Sequence, residues 1–253
     1  MPHIKIKHHK EWKLNDGVKK VIENAPPTPQ EKIDELVNSD DFQVAIVTTD
    51  DDRILPGFRY PSNSLNVIFE PSPIVTFFSV AQKFTLQALG QMDKLVTDKT
   101  FIDQNADTQM QKTSHFLSFA SISTLFMFNS LETTLNILIE QNGKPLEYRE
   151  EIKSVDYILR WASFEDKIKL ILPQIYSNNF HSDHGDQFAY IKKLKKLRDS
   201  IMHFKTGDDK IAGMRPFILA NLQFEFSKTL QAVWDFINYY FPGLIEYCNC
   251  GKD

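Results

Sequence analysis

The sequence has little glycine and cysteine, and it lacks the loop and cluster motifs of the large enzyme classes. Nine glycines stand against 20 phenylalanines in 253 residues, which favours packed helices over a turn-rich β-sandwich. No P-loop, G-x-G-x-x-G, G-x-S-x-G or H-E-x-x-H pattern occurs. The two cysteines, Cys248 and Cys250, are too close together to bridge readily and too few for a structural zinc site. We expect a reducing, cytoplasmic setting and no cofactor.

Positive charge is not in excess either. Lysine and arginine number 29 against 33 aspartates and glutamates, for a net charge of -4, so any nucleic-acid contact must use a local patch. Residues 1–5 contain no apolar core of a signal peptide, and none is expected. Residues 113–131 contain no charged side chain, but serine, threonine and asparagine recur there at helical intervals. This segment therefore predicts a buried helix rather than a membrane span.

Apolar periodicity predicts a mainly α protein with two regions. Residues 1–72 read as an irregular basic arm up to residue 28, then a short helix over 30–37 and a β-ribbon with strands near 42–48 and 65–69. Residues 73–253 read as a helical bundle. Its expected helices span about 74–97, 114–141, 164–172, 188–203 and 216–241, with polar loops over 103–113 and 177–186. The N-terminal region resembles nothing with a known role.

One helix of the bundle combines an apolar stripe with a run of lysines. The stripe consists of Phe188, Ile191, Leu194, Leu197 and Ile201, at the spacing of a core-facing amphipathic helix. Between these residues lie Lys192, Lys193, Lys195 and Lys196. Such a run is either a solvated face or a track that attracts RNA phosphates, and both interpretations stay open.

The helix ends in Arg198, Asp199 and His203. Residues five apart point roughly 140° away from each other around a straight helix, so Arg198 and His203 do not share a face. They can converge if the helix ends or bends between them, or if a second copy of the chain supplies one of them. Gly207 follows closely as a stop signal, which places His203 in the last turn.

This arginine and histidine, with four residues between them at the end of such a helix, resemble the R-x4-6-H signature of the HEPN superfamily. The resemblance covers roughly residues 74–245 and implies a HEPN-like helical bundle. Many HEPN proteins are metal-independent endoribonucleases that dimerise and serve in toxin–antitoxin or phage-defence systems. It thus implies a cytoplasmic homodimer that cleaves RNA, with an antitoxin as a possible partner and no role for a membrane.

The resemblance also implies residue roles. His203 would act as general acid or base, Arg198 would bind the scissile phosphate, and Asp199 would orient one of them. These roles agree with RNA chemistry, because the 2′-hydroxyl is a built-in nucleophile that needs only a proton acceptor and a phosphate clamp. The planar guanidinium of arginine matches two phosphate oxygens.

Two alternatives remain. In the first, the domain is a non-catalytic HEPN-like module for dimerisation or for binding a partner or nucleotide; Asp199 then pairs with nearby lysines, Arg198 bridges helices and His203 caps the helix. In the second, His181, Asp183 and His184 bind a transition metal. Loop composition explains these three residues equally well, so we assign no metal site.

Overall fold

A computed structural model describes residues 3–9, 12–13, 16–26, 29, 31, 43–48, 53–59, 67–97, 105–203 and 213–249. The chain forms two compact units, one of residues 6–73 and one of residues 1–5 with 74–253. The division lies close to the predicted one at residue 72, but the first five residues join the helical unit. There Ile4 is fully buried and bridges Tyr247, and the carbonyl of His3 accepts a 2.6 Å hydrogen bond from the amide of Cys248.

The unit of residues 6–73 contains an antiparallel sheet. Its elements are β1 (Trp12–Lys13), α1 (Asp16–Asn24), β2 (Gln43–Thr48), β3 (Arg53–Arg59) and β4 (Val67–Phe69). The central strand is β3, which pairs with β2 along its length and with both β1 and β4. The predicted strands at 42–48 and 65–69 are present, but β3 was missed because Pro56 and Gly57 interrupt its pattern.

Two other predictions concern the start of this unit. The prediction of an irregular arm over residues 1–28 is wrong at β1 and α1, which lie within it. Asp16 in the first turn of α1 favours the helix through its interaction with the helix dipole. The helix predicted over 30–37 lies almost entirely outside the described residues.

The larger unit is mostly helical, as predicted. Its elements are α2 (Pro73–Thr97), α3 (Ala106–Asn142), β5 (Leu146–Tyr148), β6 (Glu151–Lys153), α4 (Val155–Trp161), α5 (Phe164–Asp166), a π-helical turn (Lys167–Ile171), α6 (Leu172–Ile175), α7 (Phe180–Asp183), α8 (Gly185–Met202), α9 (Arg215–Leu222) and α10 (Phe226–Tyr240). The antiparallel hairpin of β5 and β6 has no counterpart in the sequence-based prediction.

The long helix α3 forms the centre of this unit. Its end at Asn142 is confirmed, since Gly143 adopts the left-handed conformation with φ of 63°. Of the polar loop predicted over 103–113, residues 103 and 104 lie outside the described residues and the part from residue 106 is wrong, because the side chain of Asn105 accepts the amide of Asp107 and starts the helix at Ala106. Among the described helices, α3 alone is long and apolar enough to cross a membrane. Its most apolar stretch of 18 residues is 56% buried within the protein.

Helix α8 packs against both α3 and α10, which brings its C-terminal end to the side of α3. The predicted stripe is confirmed at Phe188, Ile191, Leu194 and Leu197, which are buried, whereas Ile201 is only partly buried. This packing places the C-terminal part of α8 beside the middle of α3, where Arg198 lies over the Phe128 ring.

Two boundaries near α8 differ from prediction. The last helix, predicted as continuous over 216–241, is divided into α9 and α10, and the rings of Phe224 and Phe226 pack edge to face at 4.8 Å across the break. The polar loop over 177–186 contains α7, in which Phe180 is fully buried and Asn179 caps the N-terminus. In both places the burial of phenylalanine rings outweighs local propensity.

Candidate active site

Arg198 lies just before the last turn of α8, with its guanidinium against an aromatic face. Its Cζ atom is 3.8 Å from the centroid of the Phe128 ring, on α3. Phe128 is 1% exposed, and its ring lies 4.8 Å from that of Phe164 at the start of α5. The guanidinium is therefore in van der Waals contact with a ring that is itself held by the core, a favourable cation–π arrangement.

Asp199 joins two cations. Its Oδ1 atom lies 2.9 Å from Nη1 of Arg198, and its Oδ2 atom accepts a 2.7 Å hydrogen bond from Nζ of Lys195. The side chain of Arg198 is 24% exposed and that of Asp199 is 35% exposed, so the group is accessible from solvent. Two cations around one carboxylate leave one net positive charge at this end of α8.

His203 follows the last residue of α8 as its C-cap. Its amide donates a 2.9 Å hydrogen bond to the carbonyl of Asp199, and its backbone then leaves the helical conformation. The position in the final turn agrees with the prediction. The histidine is exposed, and none of the described residues forms a hydrogen bond or ring contact with its imidazole. The structure thus brings Arg198 to Asp199, whereas the imidazole of His203, at the same helix end, contacts neither side chain.

The four lysines of α8 differ in their pairing. Lys193 lies 3.3 Å from Glu225, which also binds Lys228, and Lys195 pairs with Asp199. Lys192 and Lys196 are exposed, and neither pairs with a carboxylate of the described residues. The two unpaired lysines are four residues apart and therefore share one face of the helix.

The side chains of His181, Asp183 and His184 are engaged in other contacts. The Tyr239 hydroxyl donates a hydrogen bond to Asp183, and this bond is the main cause that lowers the pKa of Asp183. His181 lies 2.6 Å from the side-chain oxygen of Asn179, and the His184 ring stacks on Phe180 at 5.0 Å. Across the described part of the chain, no group of three or more histidine, cysteine or acidic residues is placed to hold a metal.

Lys167 is a buried cation that the sequence interpretation missed. It is 4% exposed, and its ammonium donates hydrogen bonds to the carbonyl of Leu159 at 2.9 Å and to Oδ1 of Asn136 at 3.2 Å. Burial lowers the pKa of Lys167, and the nearby Glu132 opposes this effect. Lysines are expected at the surface, and nothing in the sequence around Lys167 distinguishes it from the other lysines of the chain.

Lys167 and Arg198 contact the same face of α3. Phe128, Glu132 and Asn136 follow one another at intervals of four residues, which places them in one row along the helix. Arg198 lies on the first of them and Lys167 binds the third. The Lys167 segment begins where the sequence predicted a helix start, since Oγ of Ser163 accepts the amide of Asp166 at 3.1 Å.

A separate groove of about 920 Å³ runs between the N-terminal half of α3 and the start of α9. It is lined by uncharged side chains, among them Met110, Leu117, Ile122, Met214 and Phe217. None of the predicted site residues lies among the residues that line it. The groove is therefore distinct from the site at the end of α8.

No protein-family model, no curated protein and no solved structure matches this chain. The resemblance to HEPN domains accordingly depends on Arg198, Asp199 and His203 and on the order of the helices around them.

Proposed function

We propose that the protein is a metal-independent endoribonuclease of the HEPN type. The observation that carries the proposal is that a fixed cation and an exposed imidazole lie at the same helix end: Arg198 is held by Phe128 and Asp199, and His203 is exposed at the C-cap. An RNA-cleaving enzyme that uses the 2′-hydroxyl as nucleophile needs a phosphate-binding cation and a proton-transfer group, both reachable from solvent.

Each residue has a defined role in this proposal. Arg198 binds the scissile phosphate through its remaining N–H groups and stabilises the charge that develops on the phosphate oxygens. His203 takes the proton of the 2′-hydroxyl or returns one to the leaving oxygen. Asp199 orients Arg198, because it contacts that guanidinium directly.

The geometry of α8 favours a site that is shared between two copies of the chain. Side chains five residues apart diverge by roughly 140° around a helix axis, and Arg198 contacts Phe128 and Asp199 rather than His203. A homodimer in which the ends of two α8 helices meet would place His203 of one copy beside Arg198 of the other. Lys192 and Lys196 would bind the flanking RNA backbone, since both are exposed and neither pairs with a carboxylate among the described residues. A cytoplasmic toxin or phage-defence protein, held inactive by an antitoxin, fits this activity.

The proposal is tested by incubating purified protein with RNA in EDTA. We expect the native protein to cleave RNA. The rate of cleavage should fall about 100-fold or more in Arg198→Ala and in His203→Ala. Arg160→Ala and His115→Ala are matched controls, because both side chains are exposed and lie elsewhere in the helical unit. Far-ultraviolet circular dichroism and thermal melting establish that each variant is folded. Activity that survives in both site variants would reject the proposal.

A non-catalytic binding module is the second candidate. The ion pair between Arg198 and Asp199 favours it, because a guanidinium already bound to a carboxylate can serve to hold the helix end in place. This candidate predicts that the protein dimerises or binds a partner or nucleotide, cleaves no RNA, and keeps its binding in the His203→Ala variant. Analytical ultracentrifugation together with the cleavage assay separates the two.

A further inference from the structure

We infer that Phe128 is the positioning residue for Arg198. Its ring fixes the place of the guanidinium, so that the arginine is ordered before any ligand arrives. The kinetic consequence of this inference rests on the proposed ribonuclease function, but the structural consequence does not.

Two contacts of the Phe128 ring support this assignment. Arg198 Cζ lies 3.8 Å from its centroid, whereas the Phe164 ring lies 4.8 Å away at an angle of 40°. Phe128 and Phe164 are both buried, so the surface on which Arg198 rests cannot easily move. An arginine side chain without such contacts samples many rotamers. The rotamers of Arg198 are restrained by the Phe128 ring and by Asp199.

The physical effect of the ring is specific to an aromatic residue. A leucine fills most of the same volume but lacks the negative π face that attracts a guanidinium. Loss of the attraction leaves the arginine free to sample other rotamers, and a phosphate clamp that must be ordered on binding is less effective in the transition state. We expect a reduction of about tenfold in turnover from this cause.

The direct test is the NMR spectrum of the arginine side chains in the native protein and in Phe128→Leu. A ring beneath the guanidinium shifts the side-chain protons of Arg198 upfield, and we expect that shift in the native protein and in Phe128→Tyr but not in Phe128→Leu. Phe116→Leu is the matched control, because Phe116 is equally buried on the same helix. Absence of the upfield shift in the native protein, or its persistence in Phe128→Leu, overturns the inference. The native and Phe128→Tyr spectra decide the matter even if Phe128→Leu does not fold.

The kinetic test uses the same variants with RNA. We expect Phe128→Leu to lower kcat by about tenfold and to change KM by less than about twofold, while Phe116→Leu changes kcat by less than about twofold. An equal loss in both variants would assign the effect to general damage of the core and overturn the positioning role. If the native protein cleaves no RNA, the ribonuclease proposal fails, and the NMR comparison alone decides whether Phe128 positions Arg198.

Discussion

The ammonium of Lys167 donates a 2.9 Å hydrogen bond to the backbone carbonyl of Leu159, in the last turn of α4. Carbonyls in the last turn of a helix have no partner within the helix, so a buried cation caps α4 at its C-terminus. The same ammonium binds Asn136 on α3. Lys167 therefore ties together α3, α4 and the π-helical turn in which it lies.

Lys167→Ala should destabilise the protein markedly. The substitution leaves the carbonyl of Leu159 and the side-chain oxygen of Asn136 without their donor in a site that is 4% exposed, and it creates a cavity. We expect the free energy of unfolding to fall by about 2 to 4 kcal/mol in urea titrations. Lys169→Ala should change it by only about 0.5 kcal/mol, since Lys169 is partly exposed and pairs with Glu165 at the surface. Similar losses for the two variants would contradict this role.

Stability should decline at alkaline pH because of two tyrosines. Burial raises the pKa of Tyr240 to about 12, and burial with the hydrogen bond to Asp183 raises the pKa of Tyr239 to about 12. A raised pKa means that the folded state holds the phenol proton more tightly, so this contribution is complete below the ordinary pKa of about 10 and is lost as pH rises to about 12. The lowered pKa of Lys167 has the opposite sign, because stability rises with pH between its folded and unfolded pKa values.

The alkaline decline can be measured as the free energy of unfolding in urea at several pH values between about 9 and 11.5. We expect Tyr240→Phe to make the decline shallower. Tyr157→Phe, at an exposed tyrosine, should leave the slope unchanged. A slope that is the same in the native protein and in Tyr240→Phe would show that Tyr240 does not contribute.

Asp199→Ala separates the positioning of Arg198 from the stability of the fold. The carboxylate contacts both Arg198 and Lys195 at a partly exposed site, so its removal should lower the free energy of unfolding by no more than about 1 kcal/mol. We expect RNA cleavage to fall by about tenfold, because the guanidinium loses one of its two restraints. The control is Asp156→Ala, which removes another pair with four-residue spacing, that of Asp156 and Arg160. Cleavage at the native rate in Asp199→Ala would exclude an orienting role.

Under the proposed function, Lys192 and Lys196, which pair with no carboxylate of the described residues, should contribute more to the salt dependence of RNA binding than Lys193. Binding can be measured with 2′-O-methyl RNA, which lacks the attacking hydroxyl, at a series of salt concentrations. We expect Lys192→Ala and Lys196→Ala each to reduce the slope of log affinity against log salt by about 0.7. The slope should change less in Lys193→Ala, because Lys193 already pairs with Glu225. Equal changes of slope in all three variants would show that the ion pair of Lys193 with Glu225 does not affect its contribution to RNA binding.

Local signals in the sequence predicted much of the helical unit. Gly143 ends α3, Ser163 starts α5, and the spacing of Phe188, Ile191, Leu194 and Leu197 identifies the buried face of α8. These features depend on residues a few positions apart, since a cap or an apolar stripe acts within one helix. The position of His203 in the final turn was predictable for the same reason.

The environment of the site was decided only by the tertiary structure. Phe128 and Arg198 lie 70 positions apart, and Lys167 reaches Asn136 across 31 positions. No local pattern specifies which ring will lie beneath a guanidinium or which lysine will be buried, because such contacts arise from the way α3, α4 and α8 pack together. The sequence alone determined that an arginine and a histidine close one amphipathic helix; the packing of that helix on α3 determined that the arginine is held against Phe128 while the histidine is exposed.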